Sequence, residues 1–345
     1  MSGQAIREHL VIGRAVESGS HGGSVDRRGW LRVAAGVVAG LGGLVGCTIR
    51  TVAADDPESK AKGEASEELR RAEARATLVT SRPLRRFDSA HYQAVGDASE
   101  AFIKLTLSDC EQIAVDFQNH FRAKGFDVRL PDRRLTVIVF VDERPFLKFA
   151  ENLPRGTVGF YSQPQNWLAL FDFRNVPMNR FGSGQTNMET VSHESTHQLT
   201  FNTGLLDRHG DSPRCIVEGI GMYCERRKLT GPSEPGQVNL RRLEELAHLQ
   251  RRTKWIAVSE LLADDRAWYG NDSDRMTLGY AESWLLVYHL MTNPQRLPQF
   301  RAYLEFLRGR KDKNHRLDDA KAHFGDLERL DQELRQAAIK LQRAP

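Results

Sequence analysis

The chain has little cysteine, four residues in 345, which is too few for a disulfide framework to replace a hydrophobic core. It has no dominant charge: a net +4 with both signs interspersed argues against a dedicated nucleic-acid surface. It has no internal repeat. Gly182-Ser183-Gly184 is not part of a strand-GxxxxGK pattern, so a turn accounts for it better than a phosphate loop. The apolar run Val33 to Val45 is shorter than the roughly twenty residues that a helix needs to span a bilayer.

What the chain does have is His193-Glu194-Ser195-Thr196-His197. On a helix, imidazoles at i and i+4 lie one turn apart and can reach one metal ion, while the glutamate between them meets a water on that ion. Thr186-Asn187-Met188-Glu189 reads as a capping box that starts the helix, and neither Pro nor Gly interrupts residues 187 to 203. A zinc hydrolase usually takes three protein ligands and leaves one position open. The elongated pattern HExxHxxGxxH fails, because Thr200 and Thr203 stand where it requires Gly and His. Downstream, Pro213 to Glu225 reads as a second helix opened by proline, with Glu218 in its first half. Gly219 and Gly221 cost that helix about 1 kcal/mol each relative to Ala, yet let another helix approach closely. Asp207, His209, Asp211 and Glu225 are rival ligands. The first three fall in a segment that reads as loop, and Glu225 reads as a salt-bridge residue, a support for a metal ligand, or a solvated side chain.

With these residues in place the chain resembles the gluzincin peptidases, in which a glutamate on a second helix follows HExxH. It is more similar still to an uncharacterised family of bacterial envelope proteins regarded as metallopeptidases, with the pattern H-E-x-x-H-Q-L-x-F-N-x-G-L and then E-G-x-x-x-Y-x-E. Here these are His193 to Leu205, followed by Glu218-Gly219, Tyr223 and Glu225. Gly221 departs from the alanine usual at that place. The resemblance covers residues 85 to 292. It implies a zincin-like α+β fold, with a small mixed or antiparallel sheet, an HExxH helix and a mainly helical C-terminal half. It also implies one zinc ion per chain on His193, His197 and Glu218, with Glu194 as general base in peptide hydrolysis. Tyr280 is the candidate oxyanion donor, since zincins often use a phenol from a later helix; Tyr280, Trp284, Val287 and Met291 also form an ordinary apolar stripe.

The N-terminal region resembles an export signal. Asp26-Arg27-Arg28-Gly29-Trp30-Leu31-Arg32 is similar to a twin-arginine motif, Val33 to Val45 suits a signal h-region, and Leu44-Val45-Gly46-Cys47 resembles the lipobox at which bacterial lipoproteins are lipidated on cysteine. Trp30 and Asp26 depart from the usual twin-arginine pattern. The expected organisation is a leader over 1–47, a charged tether over 48–84, a catalytic domain over 85–292 and a helical extension over 293–345. The expected place is the bacterial cell envelope, on the periplasmic side or cell surface, with a membrane contact through lipid on Cys47, a peptide or protein substrate and no nucleic acid. Cys110, Cys215 and Cys224 remain. The last two stand nine residues apart on one proposed helix, roughly 13 Å by helical rise and too far to bridge, while a bond from Cys110 to either stays open.

Ala98 to Lys124 reads as a helix, Leu135 to Val141 as a buried strand, and Val158 to Tyr161 with Trp167 to Phe171 as a hairpin. An edge strand there would pair with an extended peptide. Helices are expected over Leu240–Arg251, Met276–Met291, Pro298–Arg308 and Asp318–Arg343. Arg241-Arg242 and Arg308 to Lys313 read as solvated faces. Two other functions fit the same residues: an envelope binding or scaffold lipoprotein that keeps a zincin fold without cleaving, and a zinc amidase acting on cell-wall peptides. An intact Glu194 weighs against the scaffold, which needs no base.

Overall fold

The structure is a computed structural model that describes residues 10–14, 66–151, 153, 157–174, 187–225, 234–269 and 272–343. The segment read as a twin-arginine motif, Cys47, part of the stretch read as a tether, Gly182 to Gly184 and Thr186 lie outside the described residues. The fold is mixed α+β. A run of β-branched and aromatic residues with no polar interruption suits a strand covered on both faces, and β4 (Leu135–Phe140) is buried along its whole length at the middle of the sheet. The sheet has six strands in the order β1-β5-β6-β4-β3-β2. β4 pairs in parallel with β3 (Tyr92–Gly96) and β6 (Trp167–Phe171). The hairpin β5 (Thr157–Ser162) to β6 is antiparallel, as are β2 (Arg85–Asp88) with β3 and β1 (Leu10–Arg14) with β5.

Alternation along the strands divides the core. Leu135, Val137 and Val139 join a cluster with α2 (Glu100–Ala123) and α4 (Asn187–Asn202). Phe140, on the opposite face, meets the rings of Phe146 and Phe149 from α3 (Glu143–Ala150), which also pack on Phe160, Phe171 and Trp167. β2 and β3 escape a pattern-based reading. β2 is mostly exposed, and β3 contains Gln93, whose amide is satisfied by Ser66 and by Thr136 at 3.1 Å.

The stretch read as a charged tether contains a packed helix, α1 (Glu67–Thr77). Its N-terminus is capped by Ser66, whose hydroxyl accepts the Leu69 N–H, and it buries Leu69, Ala72 and Ala76. The C-terminal half is helical: α5 (Arg214–Tyr223), α6 (Leu240–Leu249), α7 (Val258–Ala263), α8 (Ser273–Thr292), α9 (Leu297–Arg308), α10 (Arg316–Phe324) and α11 (Leu327–Arg343). The single charged helix expected over Asp318–Arg343 is therefore two helices. The chain turns at Gly325 and restarts where the Asp326 carboxylate accepts the Glu328 and Arg329 N–H groups. Pro298 falls at the second helical position rather than the first, where its missing N–H is equally harmless. No helix among the described residues is long and apolar enough to cross a membrane.

Two further expectations are corrected. Arg242 is no part of a solvated face: it is buried and lies close to Glu225 and Glu245. Arg310 is likewise mostly covered, paired with Asp319 at 2.8 Å. Cys110, Cys215 and Cys224 are all buried free thiols. The Cys110 Sγ lies 3.3 Å from the Ser195 hydroxyl, tying α2 to the back of α4.

Candidate metal centre

α4 is buried through Thr190–Phe201, although most of those residues are polar. Each buried polar group needs a partner or costs on the order of 1–3 kcal/mol, so the partners reveal what the helix is for. Thr196 hydroxyl donates to the Ser192 carbonyl. Gln198 donates to the carbonyls of Thr136 on β4 and Asn166 in the β5–β6 turn. Asn202 donates to the Asn166 side-chain oxygen at 2.7 Å, which also accepts the Tyr161 hydroxyl at 2.7 Å. The Glu194 carboxylate accepts the Tyr161 backbone N–H at 2.8 Å. Helix, strand and turn thus form a closed loop around Glu194.

The two histidines converge. His193 Nε2 and His197 Nε2 are 2.9 Å apart, and Glu218 Oε2 from α5 lies 3.4 Å from the first and 3.6 Å from the second. His193, His197 and Glu218 are the only group among the described residues whose ligand atoms gather as a metal site requires, all within 4.8 Å. The geometry depends on the two glycines of α5. A Cβ at Gly221 would stand 2.9 Å from His197 Cε1 and 3.0 Å from His193 Cε1. One at Gly219 would stand 2.5 Å from both the Ser283 carbonyl oxygen and Val287 Cγ2 of α8. α5 is therefore sandwiched between α4 and α8, with a glycine on each face.

The surrounding charges distinguish the ligands. Glu225 lies just past the end of α5, and its Oε1 is 3.0 Å from His193 Nδ1. Glu225 is in turn held by the Asn239 amide at 2.8 Å and by Arg242 and Arg241 at 3.5 and 3.6 Å. Such a carboxylate–histidine contact fixes the imidazole and raises its basicity. Burial opposes charge on His193, but Glu218 and Glu225 outweigh it and hold the pKa above its ordinary value. Burial pushes His197 the other way, to about 4, aided by its charged neighbour His193; its Nδ1 meets no hydrogen-bond partner among the described residues. Glu218 is fully buried, and the pull of both histidines and Arg214 outweighs desolvation to keep it ionised.

The donor set suits a divalent cation. Two imidazole nitrogens and one carboxylate oxygen could hold one metal ion, and the cluster has no fourth protein ligand among the described residues. Neither Glu218 oxygen has a hydrogen-bond partner among the described residues; Oε1 has the Arg214 guanidinium at 3.3 Å, while Oε2 faces the two imidazoles, the side on which a metal ion would compensate its buried charge.

Other candidates fall elsewhere. Asp211 is taken by an ion pair with Arg316, and Asp207 accepts the His209 N–H within a turn. Tyr280 on α8 is buried beside Glu218 and Arg214, with Arg242 over its ring at 5.8 Å and Trp268 at its edge. Burial raises its pKa to about 12, so it remains a proton donor at neutral pH. Sequence reasoning missed Arg214, Asn239 and Arg242. The i,i+4 spacing of Arg214 and Glu218 was a legible signal, whereas Asn239 and Arg242 come from a separate helix start and left none.

A family model described as a protein of unknown function, DUF1570, matches residues 187–312. The match starts at the first residue of α4 and takes in α5, Glu225 and Tyr280 but none of the sheet. No curated protein matches the chain.

Proposed function

We propose that this protein is a zinc-dependent hydrolase of peptide bonds, with His193, His197 and Glu218 as metal ligands and Glu194 as general base. The observation that carries this reading is Glu194 itself. Its carboxylate is buried on the same helix as the two imidazoles and oriented by the Tyr161 N–H, beside a three-ligand cluster. A structural site would need no base and would usually be closed by a fourth ligand.

Zinc held there would supply Lewis acidity toward water and toward a substrate carbonyl. The chain supplies the rest. Glu194 takes a proton from the attacking water and delivers it to the departing amine, a task for which a buried carboxylate held by the Tyr161 N–H is suited. The Tyr280 phenol donates to the oxygen on which negative charge develops, in a site where Arg214 and Arg242 favour that charge. Glu225 and the Tyr161–Asn166–Asn202 bonds keep His193 and Glu194 in orientation.

The setting proposed is the bacterial envelope, with export through the arginine-pair leader and lipid on Cys47. Processing before Cys47 would remove β1, and β5 would then present an edge to which an extended peptide can add. Glu194→Gln tests the assignment: metal content should stay at the wild-type level while hydrolysis of an unstructured protein substrate is lost. Retained turnover in that variant would remove Glu194 as the base. Cys47→Ser should move the protein out of the membrane fraction.

A further inference from the structure

A guanidinium lies where a cation is least expected. Arg214 sits one turn before Glu218 on α5, largely covered, with Nη2 3.3 Å from Glu218 Oε1. It repels any dication bound by the same carboxylate, so its presence needs a compensating effect. The contact is an ion pair without hydrogen-bond alignment, because neither Oε1 nor Oε2 has a hydrogen-bond partner among the described residues. The other oxygen, Oε2, is the one that faces His193 and His197.

Arg214 is itself well anchored. Its backbone N–H donates to Asp265 Oδ1 at 3.0 Å, its guanidinium stands over the Tyr269 ring at 5.8 Å, and it interacts with the Tyr280 phenol. Its Nε is buried without a hydrogen-bond partner among the described residues, and its guanidinium bonds the Tyr280 phenol, so toward Glu218 it acts chiefly through charge.

We infer that Arg214 is a positioning residue that holds Glu218 Oε1 away from the metal, so that Glu218 ligates through Oε2 alone. The inference rests on the metal-site reading above and deepens it. A carboxylate that binds through both oxygens would fill one more coordination position; a carboxylate held by one oxygen leaves that position for substrate. Arg214 would also couple ligation to the oxyanion side of the site, because the same guanidinium meets Tyr280.

Cobalt(II) reports coordination number through the intensity of its visible absorption, which falls from four-coordinate to five-coordinate sites and again to six-coordinate ones, and needs no substrate. The full chain would be loaded with cobalt as wild type, Arg214→Met and Arg214→Lys, with folding checked by circular dichroism; Arg214→Gln replaces the Met variant if that one does not fold. The expected result is a several-fold loss of visible intensity in Arg214→Met or Arg214→Gln, with the wild-type spectrum largely kept in Arg214→Lys. A spectrum in the folded variant that superimposes on the wild type, with or without weaker cobalt binding, overturns the inference and leaves Arg214 a helix ion pair. A wild type that takes up no cobalt overturns the metal reading itself, and this inference with it.

Discussion

α4 and α11 are helices of similar length built on opposite rules. α11 buries Leu327, Leu330, Leu334 and Ala338, a single apolar stripe at helical spacing with charged residues on the remaining faces. α4 buries an unbroken run from Thr190 through Phe201, so no face of it is free to be polar for solubility alone. The difference is one of purpose. α11 is held mainly by removal of apolar area from water, and its polar partners, such as Trp255 on Asp331 and Arg296 on Glu333, sit at the edges of that stripe. α4 is held by partners: the strand N–H at Glu194, the turn amide at Asn202, the thiol at Ser195, Glu225 at His193. Where polar groups are buried that densely, each is positioned, and positioned polar groups are what a chemical site requires.

The comparison is sharpened most by substitutions that separate metal binding from stability. Glu218→Ala should weaken metal binding by roughly 100-fold or more, beyond the usual effect of losing a supporting residue. Leu334→Ala on α11 should cost about 2–5 kcal/mol of unfolding free energy while the folded protein keeps its metal affinity. Elemental analysis and competition titration read the first, and denaturant unfolding reads the second. A Leu334→Ala protein that is folded but metal-poor would break the division between the two helices.

Next in size is Glu225→Gln, which keeps shape and removes the charge that His193 leans on. Metal affinity should fall by about 10–100-fold, with little change in the circular dichroism spectrum. Unchanged affinity would mean that Glu225 serves Arg242 and Asn239 alone.

A last comparison tests whether buried polarity outside the metal circuit follows the same logic. Glu282 on α8 is fully buried and accepts the Ile256 N–H. Burial lifts its pKa from 4.5 to about 9. A carboxyl with a raised folded-state pKa contributes its full stability below pH 4.5, and that contribution is lost as pH rises toward about 9. The slope is at most about 1.4 kcal/mol per pH unit. Glu282→Gln should flatten the dependence of unfolding free energy between pH 5 and pH 8, seen by denaturant midpoints at each pH, and equal slopes in both proteins would show that Glu282 is ionised in the fold.

Much of the fold was legible because its signals are local. The run Leu135 to Phe140 and the hairpin around Asn166 each follow from a few consecutive residues. The gaps have physical reasons as well. β3 hides behind Gln93, which is buried only because Ser66 and Thr136 satisfy it. Arg242 read as solvated because a sequence cannot show that Glu225 and Glu245 meet it. In the site, His193, Glu194 and His197 announce themselves by spacing, and Glu218 by a resemblance in its surrounding motif.

By itself, then, the sequence determined which atoms are available for chemistry: two imidazoles one turn apart, a carboxylate between them, and a second helix with glycines that permit approach. Only the tertiary structure decided that Glu218 Oε2 closes the triad, that Gly221 faces the imidazoles while Gly219 faces α8, and that Arg214 and Glu225 flank the ligands. Helical periodicity fixes neighbours within a few residues of each other, whereas the contacts of α4 with α5, β5 and α2 join residues far apart in the chain, and those exist only once the helices and sheet have packed.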